Sequence, residues 1–114
     1  MPGRVARIGR TMTWKSAASL GKLGSTKRWL PLTVDGVGLI VASVDGTWYS
    51  FEDRCTHAGC AFSEDGERDG PQVICNCHGS EFDVRTGAVL RGPAELPIRT
   101  FPVRMVEEGL EVDL

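Results

Sequence analysis

The chain has 114 residues, a formal net charge of −2 and a hydrophobic fraction of 41%. This composition is compatible with a protein that has a compact core and dissolves in water. We predict one domain over residues 1–114, since this length supports a core of its own. The longest apolar stretch, Val37 to Ala42, is too short to cross a membrane, and the amino terminus shows no secretory or twin-arginine signal. We therefore expect a cytoplasmic protein with no membrane association.

The charges are unevenly divided along the chain. Residues 1–34 contain seven Lys or Arg and no acid, whereas residues 35–114 contain six Lys or Arg and all fifteen acids. An acidic body favours docking on basic partner surfaces, although the basic segment could instead pair with acids inside the fold. The acidic body also argues against nucleic acid as a partner. The acid-free start, with Arg4, Arg7 and Arg10, faintly resembles a transit peptide, but the residues after it are needed as strands.

The sequence predicts an all-β fold. Two Asp-Gly pairs, Asp35-Gly36 and Asp45-Gly46, separate runs of β-branched and aromatic residues, which is a strong signal for hairpins. A Ser/Gly-rich loop is predicted as far as Ser25, the segment Ser63–Gly70 is polar and acidic, and no segment has convincing helical periodicity. The predicted strands are Met12–Lys15, Trp29–Val34, Val37–Ser43, Thr47–Glu52, Gln72–Ile74, Glu81–Val84, Ala88–Leu90, Ile98–Val106 and Leu110–Leu114.

Two short boxes contain every cysteine and histidine of the chain. They are Cys55-Thr-His57-Ala-Gly-Cys60 and Cys75-Asn-Cys77-His78-Gly-Ser80. Zinc accepts these ligand types, but its usual spacing places both cysteines in one element and both histidines in the other. One cysteine and one histidine from each box favour a binuclear iron–sulfur site instead. Structural zinc and a metal-free disulfide domain remain the alternatives.

The paired boxes, with their flanking Gly59, Gly79 and Ser80, resemble those of Rieske [2Fe–2S] proteins. The resemblance extends over roughly Trp29 to Leu114. It implies a Rieske-type antiparallel β-sandwich or barrel base. A cluster-binding subdomain, about residues 54–84, is expected to be inserted between the strands of that base.

The resemblance also implies a ligand set for one [2Fe–2S] cluster. Cys55 and Cys75 are expected to bind one iron, and His57 and His78 the other, which lies near the surface in the family. The remaining cysteines match a pair that forms a disulfide between the two loops in quinol-oxidising Rieske subunits; free thiols, which a reducing cytosol favours, are the alternative. That pair is Cys60 and Cys77.

Further residues match positions that surround the cluster in the family. Gly79 follows the second histidine, and Ser80 stands where a hydroxyl donates to a bridging sulfide in high-potential members. Phe82 stands where those members carry a tyrosine that donates to a cysteine sulfur. The run Gly92–Pro97, which includes Pro93, resembles the proline loop that covers the cluster. We expect a potential below that of the quinol-oxidising subunits, inside the family range of about −150 to +300 mV.

The site predicts electron transfer rather than catalysis. Both histidines are committed to the cluster, so the chain cannot supply the mononuclear iron site of an oxygenase, and it has no Gly-rich dinucleotide motif. The resemblance implies a Rieske ferredoxin that passes electrons from an NAD(P)H-dependent flavoprotein reductase to a terminal, aromatic-ring-hydroxylating oxygenase. The alternative is a soluble Rieske domain of a respiratory or quinol-linked complex, since oxygenase ferredoxins often lack the second cysteine of each box. A zinc-stabilised interaction module suits neither the spacing nor the charge.

Partners are expected to dock where the path to the histidine-bound iron is shortest. That edge comprises His57, His78 and the proline loop. Apolar residues near it, and acids at its rim, are expected to contribute to a transient contact. They are Ala58, Ala61 and Pro93, and Glu64, Asp65 and Glu67.

Overall fold

The computed structural model describes residues 11–24 and 29–114, so the basic residues Arg4, Arg7 and Arg10 and the pair Lys27-Arg28 lie outside the described residues. Within the described part, the predicted all-β architecture is confirmed, with eleven strands and two short helices. In chain order the elements are β1 Trp14–Ser19, α1 Leu20–Gly24, β2 Trp29–Val34, β3 Val37–Val44, β4 Thr47–Glu52, α2 Phe62–Asp65, β5 Gly66–Asp69, β6 Gln72–Cys75, β7 Glu81–Asp83, β8 Val89–Arg91, β9 Thr100–Phe101, β10 Val103–Val106 and β11 Gly109–Asp113.

The strands form three sheets, and every strand pairing in them is antiparallel. The first has the order β1-β11-β10, the second β2-β3-β4-β9 and the third β5-β6-β7-β8. The first two sheets enclose one core and form the base. A second core lies between the base and the third sheet, which is inserted after β4. The predicted subdomain boundaries at residues 54–84 remain a prediction.

Strand β3 contributes to both cores. Leu39, Ile40, Val41 and Ala42 are all fully buried. Because side chains alternate along a strand, Leu39 and Val41 pack in the base core, whereas Ile40 and Ala42 pack beneath the third sheet. The uninterrupted apolar run of this segment therefore reflects burial on both faces of the sheet.

A row of aromatic side chains joins the base to the inserted sheet. Trp29 packs against Phe51, Phe51 against Phe62, and Phe62 against Phe82, with ring centroids 6.4, 5.9 and 5.7 Å apart. The last two contacts are edge-to-face, the arrangement that the ring quadrupoles favour. Since the strand of Phe82 follows the second box directly, this packing fixes the second box on the base.

The predicted limits of the first strand are wrong. The strand begins at Trp14 and continues to Ser19, and a turn of helix replaces part of the predicted loop. Ala18 is buried opposite Leu110 of β11, so tertiary burial extends the strand through small residues that sequence patterns assign to a loop. The helix begins where the Ser19 hydroxyl accepts the Lys22 N–H at 3.2 Å.

The acidic segment Ser63–Gly70, to which the sequence assigns no strand, belongs largely to α2 and β5. Phe62 is fully buried and starts α2, and β5 then pairs with β6 along its length. The Arg68 guanidinium of β5 donates to the Ser43 carbonyl of the base sheet. A strand of charged residues is stable here because it lies at an edge and hydrogen-bonds to a distant element.

The predicted strand Ile98–Val106 is divided into β9 and β10. Pro102 separates them, and proline has no N–H to donate to a sheet ladder. Strand β9 pairs with β4 in the second sheet, and β10 with β11 in the first. The proline therefore marks the point where the chain passes from one sheet of the base to the other.

Candidate metal centre

The first box folds into a closed turn directly after β4. The Cys55 N–H donates to the Cys60 carbonyl, and the Gly59 N–H donates to the Cys55 carbonyl, both at 2.8 Å. Gly59 has φ of 80°, a left-handed conformation that favours glycine. These bonds fix the direction of each side chain in the box.

The second box forms the same turn after β6. The Cys75 N–H donates to the Ser80 carbonyl, and the Gly79 N–H donates to the Cys75 carbonyl, again at 2.8 Å. Gly79 has φ of 89°, like its counterpart in the first box. The first cysteine of each box therefore occupies an equivalent backbone position.

The two turns bring the four side chains that the resemblance identifies as ligands together in two pairs, one of cysteines and one of histidines. Cys55 and Cys75 are buried free thiols, 2% and 1% exposed, in side-chain contact with each other. Burial raises the pKa of the Cys75 thiol, while the backbone N–H groups of Cys77 and His78 act in the opposite direction. The rings of His57 and His78 are exposed, with their centroids 4.7 Å apart. Two sulfur donors thus lie inside and two imidazoles outside.

The predicted disulfide is present. It joins Cys60 of the first box to Cys77 of the second and thereby links the two turns covalently. The sulfurs of these residues and of Cys75 all lie within 4.8 Å of one another. Because Cys60 and Cys77 are bonded to each other, only Cys75 of this group can offer a thiolate, so the three do not form a metal site by themselves.

The proline loop is hydrogen-bonded to both boxes. Ser80 is fully buried, and its Oγ accepts the Ala94 N–H at 3.0 Å, which leaves its hydroxyl hydrogen to be donated elsewhere. The Thr56 hydroxyl donates to the Leu96 carbonyl at 2.7 Å. Sequence reasoning missed the hydrogen bond between Thr56 and Leu96, because no local pattern reveals a contact between residues 40 positions apart.

Phe82 lies in the core beneath the second box and has no hydrogen-bond donor on its ring. The strand that carries it continues into a turn that Asp83 stabilises. The Asp83 carboxylate accepts from the Arg85 guanidinium at 2.9 and 3.0 Å and from the Arg85 N–H at 2.8 Å. These hydrogen bonds hold the pKa of Asp83 below its usual value.

The residues expected at a docking edge are accessible. Pro93 is exposed and lines a cleft together with His57. Ala58 is exposed and Ala61 half-buried. The acids Glu64, Asp65 and Glu67 are exposed on α2 and β5. The helix α2 adjoins the second box, since the Asn76 N–H donates to the Asp65 carbonyl at 2.7 Å. Among the described residues, no helix has the length and apolar character of a membrane span.

Two buried thiols and two exposed imidazoles, contributed equally by two loops of an antiparallel β fold, are the kinds of donor that hold a cluster in Rieske-type iron–sulfur proteins. The chain matches the family described as Rieske [2Fe-2S] domain over residues 13–102 and belongs to it. Membership indicates one [2Fe–2S] cluster.

Similar proteins are ferredoxin components. The chain is 32% identical to the biphenyl dioxygenase ferredoxin subunit of Pseudomonas sp. (strain KKS102), over 90% of this chain and 93% of the relative. It is 34% identical to the ferredoxin component of the naphthalene 1,2-dioxygenase system of Pseudomonas putida, over 91% and 98%. A similar solved chain belongs to the complex of reduced oxygenase and oxidized ferredoxin in carbazole 1,9a-dioxygenase, with a TM-score of 0.77, 28% identity and coverage of 90% and 94%.

Proposed function

We propose that this protein is the Rieske ferredoxin of a ring-hydroxylating oxygenase system. It carries single electrons from an NAD(P)H-dependent flavoprotein reductase to a terminal oxygenase in the cytoplasm, and it catalyses no reaction itself. The observation that carries the proposal is the shared geometry of the two boxes, in which two buried free thiols contact each other and two exposed imidazole rings lie 4.7 Å apart. The biphenyl and naphthalene dioxygenase ferredoxins described above match over 93% and 98% of their lengths, which supports the same role.

The proposed ligands are Cys55 and Cys75 for the inner iron and His57 and His78 for the outer iron. The donor set fits a [2Fe–2S] cluster, because both thiols are free and buried while both imidazoles face outward. When bound, the cluster accepts and releases one electron, at a potential raised by its two neutral ligands. The exposed histidine rings give a partner a short path to that electron.

The surrounding residues adjust how strongly the electron is held. The backbone N–H groups of Cys77 and His78 favour negative charge on the Cys75 sulfur, and Ser80 can donate its hydroxyl hydrogen inside the site. Phe82 offers no such hydrogen bond. We therefore infer an intermediate potential, above those of all-cysteine clusters and below the upper end of the Rieske range.

The alternative of a quinol-linked Rieske domain is not favoured. The disulfide and Ser80 are features it would share, but the relatives that match over most of the chain are ferredoxin components. A potential near the upper limit of about +300 mV would favour the alternative.

The test is reconstitution with purified components. Iron, acid-labile sulfide and the visible absorption spectrum are measured first, and zinc or an absence of sulfide would contradict the proposal. The protein is then combined with NAD(P)H, a flavoprotein reductase and the oxygenase component of the biphenyl or the naphthalene system. We expect hydroxylated product only when all components are present. Failure of the reduced protein to reduce either oxygenase would count against the proposed partner class.

A further inference from the structure

One apolar side chain projects beside the histidine edge. Leu96 is 66% exposed, more than the other exposed large hydrophobic residues of the described part, among which Leu20 reaches 50%. An isolated exposed leucine needs no explanation, but this one occupies a functional edge. The residues around Leu96 therefore determine whether its exposed side chain can form a contact with a partner.

The backbone around Leu96 is held in place. Ala94 is buried and donates to Ser80 Oγ, and the buried Ile98 donates its N–H to the Gly87 carbonyl at 2.9 Å. Between these two fixed points, the Leu96 carbonyl accepts from Thr56. Pro93 and Pro97 further restrict the loop. A contact made by Leu96 would consequently require no further ordering of the backbone, which increases the affinity it can provide.

Leu96 stands between two clefts. One cleft is also lined by His57, Pro93 and Glu95, so a molecule that covers Leu96 there also reaches the histidine edge. The other is lined by Glu52 and Arg54. Thr56 borders both. An apolar centre with charged residues at its rim is the usual anatomy of a protein–protein interface.

We propose that Leu96 is the apolar contact by which the terminal oxygenase recognises this protein, and that Thr56 is the positioning residue that holds Leu96 beside His57. The partner surface would have an apolar recess for Leu96 and a basic side chain opposite Glu95. The inference rests on the proposed function. The oxygenase is favoured because a related ferredoxin forms a complex with its oxygenase, and a rigid apolar contact prolongs such a complex.

The first experiment compares Leu96→Ala with Leu20→Ala as a matched control. Leu20 is an exposed leucine at the start of α1. This helix follows β1 of the first sheet, and neither box adjoins a strand of that sheet. The oxygenase is the component that the wild-type protein reduces in the reconstitution above. We expect Leu96→Ala to weaken binding of the oxidised protein to this oxygenase by about tenfold. The KM of the oxygenase for this protein as electron donor should rise to the same degree, and the kcat of the oxygenase should be unchanged. The control should match the wild type.

The second experiment separates positioning from general damage. Thr56→Val removes the hydroxyl at nearly constant volume and should weaken oxygenase binding by about threefold to tenfold. Thr56→Ser keeps the hydroxyl and should bind the oxygenase as tightly as the wild type. The visible spectrum and midpoint potential should remain at wild-type values in Leu96→Ala and Thr56→Ser, since neither change removes a proposed ligand.

The possible results distinguish failure of the proposed electron-carrier function from failure of the proposed role of Leu96. Wild-type protein that reduces no oxygenase contradicts the proposed function. Wild-type activity with an unchanged Kd for Leu96→Ala overturns the role of Leu96 alone, as would an equal loss in Leu20→Ala. A loss confined to reduction by the flavoprotein reductase would assign the surface to the reductase and overturn the proposal. Thr56→Ser that behaves like Thr56→Val would exclude the positioning role.

Discussion

The two boxes share a backbone turn but differ in what its positions carry. The first residue is a cysteine and the fifth a glycine in both, with the same two closing hydrogen bonds. The third position holds His57 in one box and Cys77 in the other, and the sixth holds Cys60 and Ser80. The disulfide joins the sixth position of the first box to the third of the second.

This difference explains why the second histidine does not occupy the same position in its box as the first. Equivalent backbone positions direct the two first cysteines inward, and the disulfide occupies the third position of the second box. The second histidine accordingly follows one residue later, at His78, where its ring meets that of His57. The turn therefore directs the first cysteine of each box inward, and the residues at its variable positions decide where the disulfide and the exposed imidazoles lie.

Removal of a proposed ligand from either box should have the largest effect. Cys55→Ala and Cys75→Ala should both abolish cluster binding, because each turn contributes one thiolate and the remaining donors cannot complete two tetrahedral irons. Iron content, acid-labile sulfide and visible absorption measure the loss. If either variant kept the wild-type sulfide content, the equivalence of the two cysteines would be wrong.

The disulfide joins different positions of the two boxes, and its removal should have the second largest effect. The double variant Cys60→Ser/Cys77→Ser should retain the cluster but lose about 3 kcal/mol of unfolding free energy, since the bridge closes a loop with a sequence separation of 17. Denaturant unfolding of the two proteins measures the difference. Loss of the cluster in the folded double variant would show that these cysteines do more than link the turns.

The two glycines test whether the turns are equally strained. Gly59→Ala and Gly79→Ala should each cost about 1–2 kcal/mol, because both place a Cβ in the left-handed region. Neither position is crowded by backbone, so the cost is conformational. Gly21→Ala in α1, where nothing lies within 4 Å, is the control and should not destabilise the protein. A cost at only one of the two boxes would show that the turns are not equivalent.

How far the sequence could predict the molecule also differs between regions. Strands β2 and β4 begin and end where the Asp-Gly pairs predict, since Asp35 and Asp45 adopt the positive φ values of 50° and 52° that such hairpin turns require. The helix α1 and strand β5 depend on burial and on distant partners, which local propensity does not contain. The donor residues were recognisable because cysteine and histidine occur only in the boxes. The Thr56 hydrogen bond was not, since it depends on the folded path of the proline loop.

The strand that leaves the second box offers a smaller, electronic test. Phe82→Tyr adds a hydroxyl at the position where it donates to a cysteine sulfur in high-potential members. One such hydrogen bond is worth about 1 kcal/mol, which corresponds to an increase in midpoint potential on the order of tens of millivolts. Protein-film voltammetry of the variant and the wild type measures it. An unchanged potential would contradict our account of residue 82.

The smallest effect is expected in the turn after that strand. The pKa of Asp83 is lowered in the folded protein, so its contribution to stability is complete above the ordinary value of 3.8 and disappears as the pH falls through the folded-state pKa. Asp83→Asn should therefore lower the unfolding free energy near neutral pH, and the difference from wild type should shrink below pH 3.8. The effect is small because the Arg85 partner is exposed. In a double-mutant cycle, Asp83→Asn and Arg85→Ala together should cost less than the sum of their separate effects, since both remove the same interaction. Additive costs would mean that a partner other than Arg85 stabilises the ionised carboxylate, and a difference that grows as the pH falls would contradict the lowered pKa of Asp83.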